Sequence, residues 1–158
     1  MIGTDSALEQ DFGVLLNISS AVFVDELATY MEAAGFTGFT TRTGWVLRAL
    51  GGETVSLKDL ADRMRISSPG TLKVIAPMVG AGYLARVSGT DRRVRAIAAT
   101  DRGCDALHAA RTFHAQFEQK LVEHVGAEGV AAMRTAFTAV VERGAHHLTS
   151  AASPFPTL

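Results

Sequence analysis

Residues 83–103 read YLARVSGTDRRVRAIAATDRG, and no other stretch of the chain constrains its architecture as tightly. From Tyr83 to Ser88 the side chains alternate, with Leu84 and Arg86 on the face opposite Tyr83 and Val87, as in a half-buried strand. Gly89-Thr90-Asp91-Arg92-Arg93 has the composition of a turn, and Val94 to Ala99 alternates again. Thr100-Asp101 then has the chemistry of a helix N-terminus. The spacing predicts a hairpin with a cationic tip, followed at once by a helix.

The residues before the hairpin switch to helical spacing. A helix is predicted over Thr71 to Ala81, after the Ser67-Ser68-Pro69-Gly70 turn and closed by Gly82. Upstream, Ser56 opens SLKDLADRM, with Asp59 in the place of the capping-box carboxylate and Leu57, Leu60, Ala61 and Met64 on one stripe. Further upstream, Thr41 is read as the cap of a helix running to Ala49, carrying Trp45 and Leu47 and followed by Leu50 and Gly51-Gly52. Three helices and then a hairpin is the order of a winged helix-turn-helix.

The flanks carry more apolar surface than that unit can cover. Leu8, Phe12, Leu15, Leu16, Phe23, Leu27 and Met31 suit one long helix over residues 6–33. Leu107, Ala110, His114, Phe117 and Leu121 recur at steps of three or four, as do Val130, Met133, Phe137, Val140 and Val141 after a break at Gly126. The expected architecture is mainly α with a small β-hairpin wing. Residues 1–158 form one domain, with a winged helix at 40–100, dimerisation helices at 5–39 and 101–149, and an irregular tail at 150–158.

Composition narrows the function. The 158 residues include 15 Lys+Arg, 16 Asp+Glu and one Cys, with 47% apolar types. That hydrophobicity argues against a disordered chain, and a single cysteine excludes a disulfide framework. No uninterrupted apolar run approaches the roughly 18 residues of a membrane span. MIGTDSALEQDF lacks the basic and apolar regions of a secretory signal. A cytoplasmic location with no membrane partner is expected. Residues 44–100 hold nine basic and four acidic groups, net +5, against −6 in the remainder. A basic middle between acidic flanks suits a polyanion-binding module on a scaffold that stays clear of the polyanion.

TGWVLRAL, SLKDLADRM, GYLARV and above all DRRVRAIAATDRG resemble the MarR family of bacterial transcription regulators, over about residues 40–125. Asp91-Arg92-Arg93 matches the wing signature, and Thr100-Asp101-Arg102-Gly103 the following helix start. The resemblance implies a homodimer whose first and last helices interlock, placing two wings and two recognition helices on a pseudopalindromic duplex. It also implies, for many relatives, a small aromatic acid held between the dimer helices and the winged domain, and a ligand-released repressor as the reading to test. The DNA-facing set is then Ser68, Gly70, Leu72 and Lys73 with Arg86, Asp91, Arg92, Arg93 and Arg95 of the wing. The ligand crevice would be lined by Phe12, Phe36, Phe39, Trp45, Phe113 and Phe117, with Arg42 or His114 as polar anchor.

The third helix departs from the family pattern. Its outward positions, Gly70, Leu72, Lys73, Ala76 and Pro77, offer one cation where relatives carry several polar groups. A proline inside a helix costs roughly 3 kcal/mol or more and predicts a kink near Lys73. A dimeric winged-helix protein that no longer reads DNA and acts through protein contacts is therefore the alternative.

Other chemistry is sparse. Cys104 and His108 stand four apart, a spacing metal sites use, but no further ligand is near in sequence, and a packed thiol beside a histidine is expected. Cys104 has no vicinal base or resolving cysteine to mark it as a redox sensor. His146-His147 reads as surface or tail. AGFTGF and VGAGYL lack the strand-loop-helix order of a phosphate or nucleotide site, and no nucleophile elbow occurs. Neither an enzyme nor a cofactor is expected.

Overall fold

The computed structural model describes residues 11–88 and 95–148. In chain order the elements are helices α1 (Phe12–Ala33) and α2 (Thr41–Leu50), strand β1 (Val55–Ser56), helices α3 (Leu57–Met64) and α4 (Ser68–Gly80), strands β2 (Leu84–Ser88) and β3 (Arg95–Ala99), and helix α5 (Asp101–Leu148).

Capping chemistry sets most boundaries. Asp11 caps α1 by accepting from the Gly13 and Val14 amides. Thr40, rather than Thr41, caps α2, because its hydroxyl accepts from Thr43 N at 3.2 Å while Thr43 Oγ1 accepts from Thr40 N. Ser56 caps α3 as its sequence indicates: Asp59 N donates to Ser56 Oγ, which in turn donates to the Asp59 carboxylate at 2.7 Å. Helix α4 begins three residues earlier than its apolar spacing suggests. Ser67 is the cap, accepting from Gly70 N, and Pro69 sits in the first turn, where its missing N–H costs nothing. The helix then runs through Pro77 to Gly80 as one element. Proline leaves the Lys73 carbonyl without its helical donor, but it does not end the helix.

The sheet has the order β1-β3-β2, all antiparallel. The hairpin register pairs Leu84 with Ala99 and Ser88 with Arg95, and Val55 pairs with Ile97 across β3. Val46, Leu47, Leu50, Leu60, Ile75, Tyr83, Leu84 and Ile97 form the buried centre, closed on one side by Leu27 and Met31 of α1 and by Ala106, Ala110 and Phe113 of α5. Tyr83 is fully buried and satisfies its hydroxyl by donating to the Thr37 carbonyl at 2.8 Å. Arg102 lies over the Tyr83 and Phe36 rings and donates to Gly35 O, locking the start of α5 to the α1–α2 connection.

Two surfaces are left uncovered. Every residue of α1 before Phe23 is exposed, including Leu15, Leu16 and Ile18. At 22 residues α1 is long and apolar enough to cross a bilayer, although Asn17, Ser19 and Ser20 interrupt its apolar run. The second surface is the far part of α5. At Gly126 (φ 76°, ψ 164°) the helix breaks into two arms, and they turn back far enough for Arg134 to reach Glu118 at 2.6 Å. The second arm exposes Met133, Phe137, Val140 and Val141.

Candidate nucleic-acid interface

Helices α3 and α4 meet at Arg65, whose left-handed conformation (φ 54°) ends α3 and turns the chain into α4. The buried side of α4 is Thr71, Ile75 and Met78; Thr71 donates its hydroxyl to Ser67 O, so the polar group costs nothing there. The opposite side presents Ser68, Lys73, Ala76 and Pro77 to solvent. Of the expected DNA-facing residues, Ser68 and Lys73 are exposed on α4, Gly70 is half-buried, and Arg86 is exposed on β2. Leu72 is half-buried like Gly70 and packs partly against the core. Arg95 pairs with Ser88 in the hairpin. Asp91, Arg92 and Arg93 lie outside the described residues.

Not every cation of the basic middle faces outward with its charge uncompensated. Arg63 donates to Glu53 at 2.8 Å and to the Ala49 and Leu50 carbonyls, capping the end of α2. Its charge is thereby committed to the scaffold. Lys58, Arg65, Lys73 and Arg86 remain exposed around α3, α4 and the wing.

The expected ligand crevice is dispersed by the fold. Phe12 is 72% exposed at the start of α1, and Trp45 is 53% exposed on α2. Phe39 is buried edge-on against Tyr83, and Phe36 lies under Arg102. These two sit in the connection that left-handed Gly35 and Gly38 fold back onto the core. Arg42 lines a different cleft, beside α4. Only His114 and Phe117 of the predicted lining meet, together with Phe23, Leu121, Val130, Met133 and Phe137, in an apolar groove of about 470 Å³ between α1 and the two arms of α5. Phe113 stacks behind it on Phe23 and Phe117.

His114, on the wall of the groove, has a cationic neighbour that sequence spacing did not mark. Arg48 Nη2 stands 3.5 Å from His114 Nε2. Burial, and then the neighbouring Arg48, hold the His114 imidazole below its usual pKa. Although Arg48 as a residue is exposed, partial burial of its guanidinium and the nearby Arg111 act in the same direction on it. The Arg48 guanidinium and the imidazole thus meet in a partly desolvated spot, where a carboxylate would stabilise them; Glu118 and Glu142 also line the groove. Arg48 takes the place that sequence reasoning gave to Arg42.

Cys104 and His108 are both exposed on α5, so the thiol is not packed as expected. Among the described residues no three His, Cys, Asp or Glu side chains are grouped to hold a metal.

A helix-turn-helix whose second helix presents one face to solvent, followed by an antiparallel strand pair, is the winged helix-turn-helix fold. Residues 37–94 match the model of the MarR family, and the fold around them is similar to that of solved winged-helix structures. No curated protein matches its sequence. The fold is similar to that of S. aureus MepR crystallised with DNA (TM-score 0.64, 18% identity, 84% of this chain and 97% of that one). It is also similar to RV1404 from Mycobacterium tuberculosis (TM-score 0.65, 22% identity, 85% and 95%). Apo MarR from E. coli is a further match (TM-score 0.58, 16% identity, 82% and 96%).

Proposed function

We propose that this chain is a DNA-binding transcription regulator that acts as a homodimer on a pseudopalindromic operator and is a repressor released by a small aromatic acid. The observation that carries the DNA part is the solvent-facing side of α4 with Ser68 and Lys73, flanked by Lys58, Arg65 and Arg86, on a module whose net charge opposes that of its scaffold. The MepR structure, solved with DNA, supports the same reading. A regulator of this kind works where the DNA is, in the cytoplasm.

The dimer reading rests on the two uncovered apolar surfaces. From Phe23 onward α1 is docked through Leu27 and Met31, and Asp25, Glu26 and Glu32 stay exposed, which suits a helix lying on a protein better than one crossing lipid. Its N-terminal half and the second arm of α5 are patches that a second subunit would bury. Equilibrium sedimentation at micromolar concentration should give twice the 16.7 kDa chain mass, and a stable folded monomer would refute the dimer. The ligand reading rests on the aromatic groove with His114 on its wall and Arg48 beside it, where an aromatic ring and a carboxylate find complementary surfaces.

Selection of bound fragments from the source genome tests the regulator. Enrichment of a palindromic site supports it. Recovery of no fragment, with the dimer intact, favours a winged-helix protein acting through protein contacts; the single cation on the outward face of α4 is the observation behind that second reading.

A further inference from the structure

Arg48 and His114 join two parts of the molecule that the chain keeps 66 positions apart. Arg48 lies on α2, in the winged-helix part, and His114 on the first arm of α5, in the scaffold. The two helices share the core through Val46, Leu47, Ala106 and Ala110. The contact between Arg48 Nη2 and His114 Nε2, at 3.5 Å, is a polar link between them. The imidazole also packs against the ring of Phe23 on α1, at 5.1 Å, and that of Phe113, at 6.1 Å. Three helices therefore meet at this one side chain.

The chemistry of the contact sets its protonation state. A guanidinium has five N–H donors and no acceptor, so the link requires His114 Nε2 to accept. Nε2 accepts only when the imidazole is neutral and its proton sits on Nδ1. A second proton would turn Nε2 into a donor facing a donor, with two positive charges 3.5 Å apart. Arg111, one turn before His114, adds to the positive charge felt by Arg48. Glu118, one turn after it, lines the same groove but is paired with Arg134 at 2.6 Å. Glu142 of the second arm also lines that groove, while Asp25 and Glu26 of α1 line a second cleft with Phe113 and Lys120. The balance of these surroundings is against the charged ring: burial first and Arg48 second hold its pKa down.

We propose that Arg48 and His114 form a proton-sensitive latch between the winged-helix part and the scaffold, closed by the neutral imidazole and opened by its protonation. The proposal rests on neither the DNA nor the ligand reading, because it concerns only how α2 is seated on α5. Opening removes one hydrogen bond and adds repulsion at one point, while the apolar packing of the two helices stays. The winged-helix part is then freer to shift against α5. With the folded pKa lowered, the latch is closed above the ordinary value of 6.5 and is lost as pH falls toward the folded one.

The ring nitrogen NMR shifts of His114 in the full-length protein at pH 7.5 report its tautomer, and the signal is identified by its loss in His114→Gln. The Nδ1–H form is expected. The Nε2–H form would show that Arg48 does not donate to the ring and would overturn the latch. Titration should give a midpoint below 6.5, and the midpoint should rise in Arg48→Gln, which keeps a donor but removes the charge. An unmoved midpoint, or a ring that stays neutral until the protein unfolds, overturns the coupling. Hydrogen exchange of the α2 amides, corrected for the intrinsic rate at each pH, reads the seating of α2. Protection should fall below the measured midpoint in wild type and persist in His114→Gln. Equal losses in the two proteins would detach the titration from the seating of α2 and overturn the latch. Melting curves at pH 7.5 establish that each variant folds. Should His114→Gln not fold, through-bond assignment identifies the ring in wild type, and the tautomer alone still decides against or for the link.

Discussion

Gly103→Ala should destabilise this protein far more than an alanine normally costs in a helix. A Cβ added at Gly103 would lie 2.2 Å from the Tyr83 carbonyl oxygen and 3.2 Å from Leu47 Cδ2, against about 3.3–3.6 Å for a close carbon–oxygen contact. The nearer atom is backbone, held where β2 begins, so the first turn of α5 must retreat by about 1 Å. That movement strains two bonds: Thr100 N donating to Tyr83 O at 3.1 Å and Thr100 Oγ1 donating to Gly82 O at 2.6 Å. Losing both costs about 2 kcal/mol at about 1 kcal/mol each. Overpacking adds about 2 kcal/mol, and the gain in helix propensity returns about 1 kcal/mol. The net is a loss of about 3 kcal/mol, or about 6–12 °C in melting temperature for a chain of this size. Gly80→Ala provides the contrast, because its Cβ would meet nothing within 4 Å at the end of α4. That variant should hold or gain up to about 1 kcal/mol. Both are compared with wild type by calorimetry at one protein concentration, since association into the proposed dimer would make the melting temperature move with concentration. A Gly103→Ala protein as stable as wild type would refute the packing argument.

His114 has its pKa lowered in the folded state by burial and Arg48. Its contribution is fully present above the unfolded value near 6.5 and is lost as pH falls from there toward the lower folded pKa. Urea unfolding at pH 7.5 and 5.5 should therefore show a larger loss for wild type than for His114→Gln, and equal losses would refute the desolvated-imidazole account. An aromatic carboxylate filling the groove should raise the melting temperature, by about 2.7 kcal/mol of stabilisation at a hundredfold excess over Kd, and Arg48→Ala should abolish the rise. A rise that survives Arg48→Ala would move the anchor elsewhere. Arg92→Ala with Arg93→Ala should cost more DNA affinity and more salt slope than Lys73→Ala, because two wing cations can meet phosphates or the minor groove independently. Titration against one duplex at several salt concentrations decides it, and a costlier Lys73→Ala would show that the DNA-facing surface is centred on α4.

Local chemistry was legible wherever it is self-contained. The Ser56–Asp59 cap needs only neighbours three apart, and the alternation of residues 84–88 and 95–99 is a property of the strands themselves. Strand β1 escaped because two residues have no period; Val55 and Ser56 are extended only through pairing with Ile97 and Ala96. The start of α4 was displaced because a proline near a serine pair reads as a turn, whereas here Pro69 lies in the first turn. Arg42 and Arg48 show the larger gap. Both lie on α2, six positions apart, a spacing that puts them on different sides of the helix. Which side meets α4 and which meets α5 depends on packing partners distant in sequence. Aromatic residues misled for the same reason: Phe23 and Phe117 meet at 5.1 Å although 94 positions separate them.

On the DNA-binding reading, the composition of α4 has a consequence for specificity. The outward positions Ala76 and Pro77 carry no hydrogen-bonding side chain, and Leu72 is partly committed to the core. A helix so equipped has few donors for the edges of bases, where discrimination of about 1–3 kcal/mol per bidentate pair arises. Lys58, Arg65, Lys73 and Arg86 provide affinity through phosphates but distinguish no sequence directly. Discrimination among sites would then fall to groove width and deformability, felt where a rigid dimer must seat two copies of this surface one helical turn apart. The spacing of the two half-sites should accordingly matter more to this protein than substitutions within either half.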